Sequence, residues 1–143
     1  MSNKIAKPMA NKIVVDDGSK VYTIENKRGK VLGKFEFRPT DTNIVKRYEE
    51  VVEYYNSYQL PENPSDADMR KAEDDIMEKI SYLVGEDAKE TFFSILGAFS
   101  PLANGELYME NVLSSIAKVI EREMNIRTKK VPVSYTHPPS PRD

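Results

Sequence analysis

Two short runs of alternating apolar and polar residues near the start of the chain predict a β-hairpin. Apolar side chains recur in residues 21–24 and again in 31–37, where Phe35 and Phe37 alternate with charged residues. The intervening segment 26–29, Asn-Lys-Arg-Gly, has the length and composition that reverse antiparallel strands. Because an isolated hairpin is marginally stable in water, we expect the aromatic face to pack on helices.

Helical periodicity replaces the alternation after Pro39, which ends the second strand. Apolar residues at spacings of three and four predict an amphipathic first helix at about 41–57. Either Thr40 or Asp41 can cap it by accepting a backbone N–H bond. The two prolines within 61–64 cannot continue this helix, so we expect a connecting segment there.

The same periodicity predicts three more helices. The second starts at Ser65 or Asp66 and stops at Gly85, for which we expect a left-handed backbone conformation. A short third helix is predicted at about 87–97 and a fourth at about 106–124. The predicted fold class is therefore α+β, with an N-terminal β-hairpin packed on a mostly helical domain of about four helices.

The predicted domain covers residues 13–125 and is flanked by two segments without periodicity. Residues 1–12 are interpreted as a flexible arm, and the proline-rich residues 126–143 as a disordered or extended tail. The run Ile-Val-Val at 13–15 either forms a short strand or serves as the docking point of the arm. A chain of 143 residues fits one compact domain.

The composition argues against most enzyme chemistry. The chain has no Cys and one His, His137, which lies in the predicted tail. Thiolate chemistry, Ser-His-Asp triads and His-rich metal sites are therefore excluded, and we expect no enzyme activity, no metal and no cofactor. The neighbouring carboxylates Asp74 and Asp75 do not form a catalytic pair, because adjacent helical residues point about 100° apart.

The charges are segregated although their sum is small. There are 21 Lys and Arg and 23 Asp and Glu, so the net charge is −2. Residues 1–40 contain nine bases and four acids, 41–90 six bases and fourteen acids, and 91–143 six bases and five acids. An acidic middle does not suit nucleic acid. The N-terminus shows no secretory signal or membrane span, so the predicted compartment is the cytoplasm, without membrane contact.

Two groups of aromatic residues are the candidate partner-binding residues. Phe92, Phe93 and Phe99 concentrate apolar area on one short segment, and we expect part of it to remain exposed and to bind a partner. Tyr54 and Tyr58 lie to the side of the apolar stripe of the first helix, with polar edges suited to an interface. Burial in the core or at its rim is the competing interpretation for both groups.

Four features follow one another in order over about residues 20–125. They are the hairpin ending in Phe35-Glu36-Phe37, a helix opened by Asp41 with Arg47-Tyr48-Glu49-Glu50, an acidic helix ending in Val84-Gly85-Glu86-Asp87-Ala88 with Phe92-Phe93 close behind, and an Asn/Gly loop before the last helix. In this order and spacing the chain resembles the small tail assembly chaperones of long-tailed, siphovirus-type bacteriophages and prophages of Gram-positive hosts.

The resemblance implies a mostly helical adaptor that coats the long tape measure protein, keeps it soluble and helps recruit tail tube subunits. The implied partners are the tape measure protein and, as a second candidate, the major tail protein, with homo-oligomerisation left open. The family has no catalytic residues, so none are transferred to this chain. Two alternatives stay open: a structural head–tail or tail completion protein that remains in the virion, and a small regulator of a host protein.

Overall fold

A computed structural model describes residues 11–126, so nearly all of the predicted arm and tail lie outside the described residues. Within this range the α+β class is confirmed, with an antiparallel hairpin followed by four helices. The strands are β1 (Lys20–Glu25) and β2 (Val31–Phe37). The helices are α1 (Ile44–Ser57), α2 (Asp66–Val84), α3 (Ala88–Thr91) and α4 (Tyr108–Met124).

The aromatic face of the hairpin packs on the helices, as the alternation predicts. Tyr22 lies opposite Phe35 in the antiparallel register. The rings of Tyr22, Phe35 and Phe37 have centroids 5.7 to 6.1 Å apart. The ring of Phe92 meets Phe35 edge-on at 5.0 Å. At the chain reversal Gly29 has φ 85°, a left-handed conformation that glycine adopts without steric cost.

Helix α1 begins later than predicted, and capping of this helix by Thr40 or Asp41 is wrong. The cap is Asn43, whose side chain makes no capping hydrogen bond. Asp41 instead closes a turn ahead of the helix. Its side chain accepts from the Asn43 N–H at 2.9 Å, and its carbonyl accepts from the Ile44 N–H at 2.9 Å. The chain needs this turn to pass from the hairpin into α1.

Helix α2 has the ends that the sequence predicts. Of the two predicted start residues, Ser65 is the cap: its hydroxyl accepts from the Asp68 N–H at 3.0 Å, and the Asp68 carboxylate accepts from the Ser65 N–H at 2.9 Å. This reciprocal pair satisfies two helix-end donors. Gly85 ends the helix at φ 82°, in the left-handed conformation expected of it.

Helix α3 is much shorter than the predicted 87–97, and that prediction is wrong beyond Thr91. The amides of Phe92 and Phe93 both donate to the Ala88 carbonyl, at 3.0 and 2.9 Å. A regular α-helix pairs each amide with its own carbonyl, so this convergence ends the helix. The chain then continues through turns, and the two phenylalanines contact different neighbours.

Helix α4 supplies much of the core. It begins at Tyr108 rather than near 106 and ends at Met124, followed by Asn125 in the left-handed conformation at φ 56°. The buried apolar residues of the domain come from β2 and all four helices. They include Phe35, Phe37, Ile44, Tyr48, Val51, Val52, Ala72, Ile76, Ile80, Leu83, Val84, Ala88, Met109, Val112, Leu113, Ile116, Ala117 and Ile120.

Candidate functional site

Three of the five predicted partner-binding residues lie together in one groove. Tyr54, Tyr58 and Phe99, which the sequence analysis assigned to two separate patches, line a surface groove of about 460 Å³ between α1, α2 and the segment before α4. The other residues that line it are Tyr55, Asn56, Leu60, Met69, Ala72, Ile76 and Leu107. This depression is termed the tyrosine groove.

The two tyrosines give the groove a polar rim. The rings of Tyr54 and Tyr58 lie 5.5 Å apart at an angle of 49°, and the Lys79 ammonium lies 4.8 Å from the centre of the Tyr54 ring. Partial burial, followed by the neighbouring Asp75 carboxylate, raises the pKa of Tyr54. The Tyr54 hydroxyl also interacts with the Asp75 carboxylate, so a polar group borders the apolar depression.

Phe99 is held at the groove by backbone hydrogen bonds on both sides. The Ala98 carbonyl accepts from the Met109 N–H at 2.9 Å, and the Ser100 carbonyl accepts from the Tyr108 N–H at 2.8 Å. Both bonds join the segment around Phe99 to the first turn of α4. The half-buried ring also packs against the core, so its position is set by the fold.

A buried carboxylate that the sequence analysis missed supports the floor of the tyrosine groove. Glu110 is 1 % exposed. Its carboxylate accepts from the Tyr55 hydroxyl at 3.1 Å and from the Leu107 N–H at 2.9 Å. Tyr55 and Leu107 both line the groove. The sequence does contain a signal for this contact, namely a Glu at the third position of a helix. A carboxylate at that position often accepts a hydrogen bond from the backbone N–H of the capping residue.

The remaining two predicted residues do not line the tyrosine groove. Phe92 is buried with its ring 5.0 Å from that of Phe35, so it occupies a core position, as the competing interpretation held. Phe93 is half-buried and meets the Tyr108 ring edge-on at 5.7 Å. A partner-binding role for Phe93 stays a prediction, and it would use a different surface.

A second depression of about 510 Å³ lies between β1, α4 and the turns after α3, and is termed the hairpin hollow. Leu96 and Val119 lie in its lining, and Tyr108 and Phe92 border it. The Tyr108 hydroxyl donates to the Phe92 carbonyl at 2.9 Å, and burial raises the pKa of Tyr108 to about 12. The buried hydroxyl of Tyr22 has no hydrogen-bond partner within residues 11–126.

The greatest apolar exposure lies outside both depressions, in the segment before β1. Ile13, Val14 and Val15 are 90 %, 81 % and 72 % exposed and are termed the arm triplet. Their backbone is irregular, and the sheet of the described residues contains only β1 and β2. The short strand that was one expectation for this run is therefore not formed, and the docking role stays a prediction.

Candidate chemistry elsewhere is sparse in the part of the chain that the structure describes. Between residues 11 and 126, no three His, Cys, Asp or Glu side chains are grouped so that they could hold a metal ion. The neighbouring carboxylates on α2 face cations instead of each other, with Asp75 2.9 Å from Lys71 and Asp74 3.8 Å from Lys89. No helix in this range combines the length and apolar composition needed to cross a bilayer.

Comparison with protein-family models, with curated proteins and with solved structures found no match. The basis for assigning a function is therefore the geometry of the residues themselves, together with the resemblance noted in the sequence. The geometry centres on a rigidly supported apolar groove with an aromatic, partly polar rim.

Proposed function

We propose that this protein is a non-enzymatic adaptor that binds an apolar segment of a larger client, as the tail assembly chaperones it resembles do. The client is the tape measure protein of a long-tailed phage, and the binding site is the tyrosine groove. One observation carries the proposal: Tyr54 and Tyr58 line the same apolar groove as Phe99, which is distant from them in sequence. Aromatic side chains gathered in a pocket are typical of the residues that dominate binding energy at interfaces.

The size and lining of the groove suit a client helix. Its volume of about 460 Å³ lies within the roughly 300–1,000 Å³ of common ligand sites. An amphipathic helix presents apolar side chains at spacings of three and four residues, and a groove stabilises them by removing apolar area from water. A long helical protein with exposed apolar stripes aggregates unless such stripes are covered.

The net charge of the chain segment that forms most of the groove indicates which client segments bind best. Residues 41–90, which include α1 and α2, contain six bases and fourteen acids, a net charge of 6 − 14 = −8. A client helix with Lys or Arg beside its apolar stripe is attracted to this surface, which mainly accelerates association. Because salt screens exposed charges, binding of such a segment weakens as ionic strength rises.

The test uses the full chain and fluorescently labelled peptides that tile the tape measure protein of the same tail gene cluster. Binding is followed by fluorescence anisotropy. Leu60 and Leu96 form a matched pair, since both are 39 % exposed and lie outside the helices and strands. Leu60 lines the tyrosine groove and Leu96 the hairpin hollow. Leu60→Asp is expected to weaken binding at least roughly tenfold, and Leu96→Asp to leave it unchanged.

Four outcomes contradict the proposal. Loss of binding in Leu96→Asp with retention in Leu60→Asp rejects the tyrosine groove as the site, and absence of any bound peptide rejects the client. Persistence of the protein in purified virions, measured by mass spectrometry, favours the structural alternative. Stoichiometric binding to a defined host protein in cells without the tape measure protein favours the regulator.

A further inference from the structure

The arm triplet is an apolar segment that the described part of its own chain leaves uncovered. Ile13, Val14 and Val15 are consecutive, β-branched and largely exposed. Single exposed apolar residues are normal on proteins, but a contiguous run of three marks a surface that association covers. The hydrophobic effect favours any arrangement that removes these side chains from water.

The base of the arm triplet is fixed to the domain. Asp17 forms an ion pair with Arg38, the residue that follows β2. The turn that leads into β1 is closed by two local hydrogen bonds. The Gly18 N–H donates to the Asp16 carboxylate at 2.9 Å, and the Ser19 N–H donates to the Asp17 carboxylate at 3.0 Å. The segment that enters β1 is therefore anchored, and the triplet projects from a defined point.

The start of β1 and the tyrosine groove lie at opposite ends of α4. The Lys20 ammonium at the start of β1 lies 2.8 Å from the Glu123 carboxylate in the last turn of α4. The Tyr55 hydroxyl in the groove donates to the Glu110 carboxylate in the first turn. The thirteen steps from residue 110 to residue 123 correspond to about 20 Å of helix at roughly 1.5 Å per residue.

The triplet does not occupy the groove of its own chain. None of Ile13, Val14 and Val15 lines the tyrosine groove, and all three side chains are largely exposed. A groove that could cover them is therefore offered by a second copy of the chain.

The charges of the two elements are complementary. The sequence up to Val15 contains Lys4, Lys7 and Lys12 and no acidic residue. The segment that forms most of the groove, 41–90, has a net charge of 6 − 14 = −8. Opposite charges steer two copies toward an approach in which the arm of one meets α1 and α2 of the other.

From these observations we infer that the arm triplet of one copy occupies the tyrosine groove of a second copy. The inference goes beyond client binding, because it concerns contacts between identical chains. If the proposed function holds, arm and client compete for one groove, and the arm covers the groove until a client arrives.

The test measures the mass of the full-length chain in solution by light scattering and sedimentation. The wild type is expected to exceed the 16.3 kDa of one chain, with a concentration-dependent mass. Val14→Asp places a charge in the middle of the arm triplet, and Leu60→Asp places a charge in the tyrosine groove. Each variant alone is expected to associate at least roughly tenfold more weakly, whereas the matched control Leu96→Asp associates like the wild type.

Mixing the two defective variants provides the decisive measurement. Val14→Asp retains an intact groove and Leu60→Asp retains an intact arm, so an equimolar mixture is expected to form heterodimers. A monomeric wild type overturns the inference, as does a mixture that stays monomeric. Association of Leu60→Asp alone with the strength of the wild type also overturns it, because the arms would then pair with each other. None of these results alters the peptide-binding comparison, so the two proposals fail separately.

Discussion

Replacing Glu110 by Ala is expected to destabilise the domain and loosen the groove at the same time. The carboxylate is almost completely buried and accepts hydrogen bonds from the Tyr55 hydroxyl and the Leu107 N–H. In the Ala variant the partly buried Leu107 amide loses its acceptor, which costs about 1–3 kcal/mol, and loss of the Tyr55 bond adds about 1 kcal/mol. The expected total of roughly 2–4 kcal/mol is large beside the roughly 5–15 kcal/mol of a typical domain.

Glu110→Gln is the matched control. The side-chain carbonyl of Gln still accepts from the Leu107 N–H, and its amide donates to the Tyr55 oxygen, so both contacts persist without the buried charge. Urea unfolding monitored by circular dichroism measures both free energies of unfolding. An Ala variant that loses less than about 1 kcal/mol, or a Gln variant that loses as much as Ala, would refute the role given to this carboxylate.

Two further predictions concern buried tyrosines. Because burial raises the pKa of Tyr108 to about 12 while an unfolded tyrosine titrates near 10, the unfolded state loses this proton first. Stability is then complete below pH 10 and falls as the pH rises from 10 to 12, by less than about 1.4 kcal/mol per pH unit because solvent screens this partly exposed side chain. In unfolding measured as a function of pH, Tyr108→Phe is expected to reduce this slope. Tyr48 carries a buried hydroxyl that has no hydrogen-bond partner among the residues that the structure describes, so Tyr48→Phe is expected to be neutral or stabilising by up to about 1 kcal/mol. A thermal or urea measurement that finds a loss above about 1 kcal/mol would reject that view of the hydroxyl.

Local sequence signals were sufficient for the elements whose ends are built from neighbouring residues. The alternation around Phe35 and Phe37 identifies the buried face of β2, because side chains of a strand point to opposite sides in turn. Ser65 and Gly85 mark the ends of α2 through contacts made within a few residues. These features depend on backbone geometry that the nearby sequence encodes.

Features that depend on tertiary packing could not be predicted in the same way. The apolar composition of 87–97 suits a helix, but Phe92 packs on the hairpin and Phe93 on Tyr108, and the chain turns after Thr91 to serve both contacts. No pattern within one helix reveals that Tyr54 and Phe99 share a groove, since their proximity arises only when α1 packs beside the segment before α4. Sequence periodicity identifies the faces of helices but not their neighbours.

The location of the surplus apolar surface changes how association should be understood. The sequence placed this surplus on the aromatic residues, yet Phe92 is buried and Phe99 is partly enclosed by the fold. The most exposed apolar side chains are instead the aliphatic residues of the arm triplet. The domain thus has an apolar groove and a separate exposed apolar segment, and the segment does not lie in the groove of its own chain. Such a molecule lowers its free energy either by binding its own copies or by binding a client. The arm triplet of a second copy and the client segment compete for the same groove, and the one with the higher affinity occupies it.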